Sequence, residues 1–198
     1  MHKPIQKRFF DLITAKEPLF KFQGNPINTY KELIHYRFKE VVLSAFPRFM
    51  PYLSEYELND LVEAFIKTKP ETPFIWQMPN EFRAFLAKNE ELVSRFAFMN
   101  ELLWFEWIEI EIFMRPFEKN EVSNFVWDSG LKPSDSTLIS TLEYPVYDDS
   151  RITEKGEHFV LLYYNFETHQ VHYQELTPFL HSFLQQQQTT LCRRFYKN

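Results

Sequence analysis

His158-Phe159-Val160-Leu161-Leu162-Tyr163-Tyr164, then Asn165-Phe166-Glu167-Thr168-His169-Gln170, then Val171-His172-Tyr173-Gln174-Glu175-Leu176 is the stretch that decides the fold class. The first run is continuously apolar and aromatic and rich in strand formers, which predicts a buried strand over 157–166. The polar segment after it predicts a hairpin loop, and 171–176 the returning strand. Upstream, 137–147 is β-prone and supplies a third strand. Downstream, Thr177-Pro178 combines a capping hydroxyl with proline at the first helical position, so a last helix should start there. It is expected to turn Phe179, Leu180, Phe183 and Leu184 toward the sheet and to end in the solvated run Gln185 to Gln188. Three strands and one helix leave at least one sheet edge exposed unless something covers it.

On the N-terminal side the period changes from two to three or four. Ile34, Phe38, Val41, Val42 and Ala45 predict a helix over 28–46 that Pro47 ends. Ser54 with Glu57 three residues on forms a capping box, and Leu58, Leu61, Val62 and Phe65 then share one face of a helix ending near Lys69-Pro70. Prolines 70, 73 and 79 bracket Phe74, Ile75 and Trp76 in an extended apolar connection. Asn80 is expected to cap a short helix bearing Phe82, Phe85 and Leu86. A long helix over 92–114 then carries Phe96, Met99, Leu103, Trp107 and Ile110. The fold class expected is α+β: an all-helical N-terminal domain (1–114), a linker (115–136) rich in Pro, Ser, Asn and Asp, and a small C-terminal domain (137–198) with a three-stranded antiparallel sheet and a helix.

Composition narrows the function. Of 198 residues 44% are hydrophobic and 18% aromatic, enough apolar area for one large core or two small ones. A single cysteine, Cys192, rules out an intramolecular disulfide or a thiolate metal cluster and fits a reducing compartment. Asp11 interrupts the N-terminal apolar run, and nowhere do about 18 uncharged apolar residues follow one another, so neither a signal peptide nor a membrane span is expected and the protein should be cytoplasmic. Lys and Arg outnumber Asp and Glu by 11 to 8 over residues 1–70, but acids lead by 8 to 3 over 71–114 and by 11 to 8 over 115–198. A duplex-binding domain usually shows a clear basic excess, so nucleic acid is disfavoured as a partner.

Catalytic signatures are missing. Gly24, Gly130 and Gly156 are too few and scattered for a phosphate-cradling loop, a dinucleotide fingerprint or a nucleophile elbow. His169 and His172 are the one close histidine pair, and their spacing on a hairpin rim favours a solvated role over metal binding. His35 is read as a surface or boundary residue. Glu106, Glu109 and Glu111 are read as a solvated acidic face beside an apolar stripe. No catalytic residue, metal ligand or cofactor is therefore assigned to this chain. Arg37, with Tyr36, lies beside an apolar helix stripe, where a charge needs an ion-pair partner or a ligand. Tyr36, Arg37, Arg48 and Trp127 are the candidates for contact with a partner or ligand.

Tyr36-Arg37, Ala45-Phe46-Pro47, Phe65 with Lys69-Pro70 and Thr72-Pro73, Phe82 with Phe85-Leu86, and Leu103 with Glu106-Trp107 resemble, in order and spacing, a bacterial helical domain family long labelled DNA-binding. Where that family has His-Pro and Ser-Pro, this chain has Lys69-Pro70 and Thr72-Pro73. The two-domain layout, with Tyr144-Pro145-Val146 ahead of the hairpin and helix, is similar to the HvfC-type and MbnC-type proteins. The resemblance implies a non-catalytic accessory subunit in a heterodimer with an iron-dependent TIM-barrel oxygenase, modifying cysteines of a ribosomally made precursor peptide (RiPP maturation) linked to copper homeostasis. Iron would sit in the partner. The peptide's leader would add as a strand to the C-terminal sheet, with His158, Phe159, Leu161, Tyr163, Val171 and Tyr173 as expected contacts. The alternatives are a DNA-binding transcriptional regulator and an independent metalloenzyme.

Overall fold

Ser54 fixes where the most sharply defined helix begins. Its Oγ accepts from the Glu57 N–H at 3.2 Å, while the Glu57 carboxylate accepts from the Ser54 N–H at 2.8 Å, the reciprocal capping box read from the sequence. The computed structural model describes residues 26–117 and 134–185. In chain order its elements are helices α1 (Pro26–Ala45), α2 (Glu55–Lys67), α3 (Met78–Leu86), α4 (Glu90–Arg95) and α5 (Met99–Met114), strands β1 (Thr137–Leu142), β2 (His158–Asn165) and β3 (Gln170–Leu176), and a helix α6 described over 178–185. A single 3₁₀ turn, Met50–Tyr52, joins α1 to α2. The fold is α+β, helices first and then an antiparallel sheet.

The chain divides between Arg95 and Phe96 into two compact units. That boundary precedes α5, so α5 belongs with the sheet and not with the N-terminal helices, as a domain spanning 1–114 would have it. Most of the expected linker lies outside the described residues.

In the first unit, α1, α2 and α3 meet on a phenylalanine core. Phe65 is its hub, with ring centroids 5.1 Å from Phe82, 5.6 Å from Phe85 and 6.0 Å from Phe38. Phe46, Phe49, Val42, Val62 and Leu86 fill in around it, all buried. α2 ends because Lys69 turns left-handed at φ 57 just before Pro70, its N–H returning to the Ile66 carbonyl at 3.1 Å. Asn80 does not cap α3. Gln77 holds that place, and the Asn80 side chain instead accepts from Arg83 at 2.9 Å. Nor is 92–114 one helix: it breaks over 96–98, between α4 and α5. Phe98 and Met99 are buried at the break, so packing of their side chains interrupts a segment that has no Pro or Gly to interrupt it.

In the second unit the strands lie in the order β1-β2-β3, antiparallel throughout. Alternation along β2 puts Val160, Leu162 and Tyr164 on one face and Phe159, Leu161 and Tyr163 on the other. α5 covers the first face: Phe105 packs edge-on against Tyr173 at 5.4 Å, and Phe113 approaches Tyr164 at 6.3 Å. Glu101 of α5 accepts from the backbone N–H groups of Glu143 (2.7 Å) and Tyr144 (2.8 Å), tying down the chain as it leaves β1. The 143–157 connection then buries Val146, Tyr147 and Ile152. α6 touches the opposite face through His181, whose ring stacks on Phe159 at 4.1 Å and whose Nε2 lies 3.3 Å from Thr141 Oγ1. The expected cap is present, since Thr177 Oγ1 accepts from the Leu180 N–H at 3.3 Å. The expected inward face is not: Phe179 is 77% exposed, Phe183 50% and Leu180 42%, because the helical phase that brings His181 to the sheet turns those three away. Among the described residues no helix is long and apolar enough to cross a membrane.

Candidate functional site

A three-stranded open sheet has two backbone edges, and the register assigns them. Tyr164 donates to the Ser136 carbonyl at 3.3 Å, so the even-numbered residues of β2 direct their N–H and C=O groups at β1. The odd ones then face β3, whose partners 170, 172, 174 and 176 turn inward to meet them. Val171, Tyr173 and Glu175 are left with their backbone groups directed out of the sheet, and no other strand of the described residues pairs there. On the far side of β1 the corresponding residues are Thr137, Ile139 and Thr141, and the Thr137 N–H is already spent on the Ser134 carbonyl at 2.9 Å.

This geometry divides the expected peptide contacts. Val171 and Tyr173 stand on the β3 edge. His158, Phe159, Leu161 and Tyr163 do not, because β2 is the central strand and hydrogen-bonds to a neighbour on both sides. Phe159 is in addition buried beneath the His181 ring. The sequence misplaced them because the most hydrophobic strand of a small sheet is the one that needs cover on all sides, which is the middle one.

Beside the β3 edge lies a polar cluster that sequence reasoning missed. Arg151 donates from Nε to Asp148 at 2.8 Å and reaches Glu175 of β3 at 3.2 Å. Ser150 donates to Asp148 through both its N–H (3.0 Å) and its hydroxyl (2.6 Å), and these bonds with that from Arg151 hold the Asp148 carboxyl down at about 2. The Tyr173 hydroxyl donates to the Tyr147 carbonyl at 3.2 Å, which fastens the 143–157 connection to β3. Tyr147 is 8% exposed, and its phenolic oxygen is buried with no hydrogen-bond partner. Burial pushes that phenol upward, and the Glu175 carboxylate beside it adds to the effect. The phenol thus stays a proton donor. The residues hinted at their roles only through Asp148-Asp149 following Pro145; their meeting with Glu175 depends on strand pairing.

The first unit carries a separate groove of about 200 Å³, lined by Phe38 and Val41 of α1, Pro70, Pro73, Phe74 and Ile75 of the proline-rich connection, and Arg37 at its rim. Glu81 holds the connection in place by accepting from the N–H groups of Glu71 (3.1 Å) and Thr72 (2.8 Å). Arg37 forms an exposed ion pair with Glu40 at 2.7 Å, the internal salt bridge its position on the helix suggested. Tyr36 is 68% exposed, Arg48 is half-buried, and Trp127 lies outside the described residues. Tyr36 and Arg37 share α1, and Arg48 follows the end of that helix.

Each histidine among the described residues has a hydrogen-bonding neighbour. His169 Nδ1 lies 3.1 Å from the Tyr164 hydroxyl, His172 Nε2 3.0 Å from Thr168 Oγ1, and half-buried His35 has its Nε2 3.3 Å from the Asn59 carbonyl. Glu106 is buried and not part of a solvated acidic face, while Glu111 pairs with Arg115 at 2.6 Å. Among the described residues no group of three or more His, Cys, Asp or Glu is arranged to hold a metal ion. Comparison with protein-family models and with curated proteins found no match to this chain.

Proposed function

We propose that this chain is a non-catalytic accessory subunit that binds an extended peptide along β3 and presents it to a separate enzyme. The observation that carries this reading is the outward row of backbone groups at Val171, Tyr173 and Glu175 on a sheet of only three strands. An added strand would gain main-chain hydrogen bonds there, and its side chains would alternate between the face near α5 and the face near α6. In the fuller form implied by the resemblance, the peptide is the leader of a cysteine-containing precursor. The enzyme is then an iron-dependent TIM-barrel oxygenase that pairs with this chain as a heterodimer in the cytoplasm and modifies those cysteines for copper handling.

Co-expression of the tagged chain with candidate barrel proteins and their small cysteine-containing peptides tests this directly. Co-purification of an iron-bearing barrel protein, with a mass-shifted peptide formed only when this chain is present, is the expected result. A peptide modified equally well without this chain would sink the accessory role.

A further inference from the structure

We infer that the peptide taken along β3 is basic, and that an arginine or lysine of it seats against Glu175 and Asp148 over the Tyr147 hydroxyl. This rests on the β3-edge reading above and specifies the substrate class for it. Two independent observations support it. The first is charge: acids outnumber Lys and Arg by 11 to 8 over residues 115–198. At the β3 edge itself a single guanidinium, Arg151, is shared by two carboxylates, Asp148 and Glu175. Each carboxylate offers about four lone-pair sites, so both keep acceptor capacity for a second cation. The second is the Tyr147 hydroxyl, buried beside Glu175 and Arg151 with no partner in hydrogen-bonding geometry. A buried donor left unused costs free energy that a small shift of Glu175 would recover. An incoming cation that shares Glu175 with Arg151 supplies the occasion for that shift.

The location also sets the register. Glu175 is an outward-facing residue of β3, so a strand paired there carries the basic side chain on the α5 face, the same face as Tyr173 and Val171. Arg151 is part-exposed, and its pairs are of the kind that exchange readily with solvent or ligand.

The test uses the full chain and fluorescently labelled twelve-residue peptides of alternating Val and Thr bearing a central Arg, Gln or Glu, with binding read by anisotropy. A second Arg peptide, N-methylated on alternate residues, cannot pair as a strand. We expect the Arg peptide to bind about tenfold tighter than the Gln peptide, the strength of one charge-assisted bond, with the Glu peptide weakest and the N-methylated peptide silent. Glu175→Gln should erase the Arg preference, and Tyr147→Phe should reduce it without lowering the melting temperature. Equal binding of Arg and Gln peptides, still abolished by N-methylation, would overturn the basic-residue inference and leave strand addition standing. An Arg preference that survives N-methylation would overturn strand addition instead. A preference unchanged in Glu175→Gln would overturn the location, and no binding of any peptide would overturn both.

Discussion

Ser54, Lys69 and Tyr147 show what single residues contribute. Ser54 closes both halves of a capping box, so Ser54→Ala should destabilise the first unit by about 1 kcal/mol, measured by urea denaturation followed through α-helical circular dichroism. Lys69 holds φ 57, a conformation that opposes a side chain by about 1 kcal/mol. Lys69→Gly should therefore raise the urea midpoint, and a lowered midpoint would show that the Lys69 side chain contributes more than its backbone strain removes. Ser54 and Glu57 were legible in the sequence because a capping box is local, four residues that signal to each other. Tyr147 was not, because its neighbours Arg151 and Glu175 come together only through the pairing of strands far apart in the chain.

Elements were legible where one physical cause dominated. Pro47, Pro70 and the Thr177-Pro178 cap ended or began helices where expected, since proline acts on backbone geometry whatever surrounds it. The hairpin at 165–170 was equally local: Asn165 Oδ1 accepts from the N–H groups of Glu167 (2.8 Å) and Thr168 (3.2 Å), an Asx turn. Tertiary causes escaped. The break at 96–98 reflects the burial of Phe98 and Met99, and the orientation of α6 reflects one stacked histidine. His181→Ala should loosen α6 from the sheet by about 1–2 kcal/mol, from lost ring burial and a lost hydroxyl contact. Faster amide exchange in 178–185 with an unchanged β2 would be the signature, and unchanged exchange there would place the anchor of α6 elsewhere.

Across the whole molecule, carboxylates in hydrogen-bonded pairs set the response to acid. The backbone N–H of Ser54, then its hydroxyl, then Arg95 at 2.5 Å bring Glu57 from its usual 4.5 to about 2, and Asp148 falls from 3.8 to about 2. Both folded values lie below the unfolded ones, so the stability they supply is fully present above about pH 4.5 and is lost as pH falls toward 2. Urea midpoints should be flat from pH 7 to 5 and drop steeply below 4, with part of the drop absent in Glu57→Gln.

The proposed role requires β3 to accept an added strand. It is tested most directly by residue-resolved hydrogen exchange on the full chain, alone and with the Arg peptide at saturating concentration. The amides of Val171, Tyr173 and Glu175 should exchange quickly in the free chain and become protected when the peptide is bound, while Gln170, His172 and Gln174 stay protected in both states. Bound peptide with Val171, Tyr173 and Glu175 still exchanging freely would contradict it.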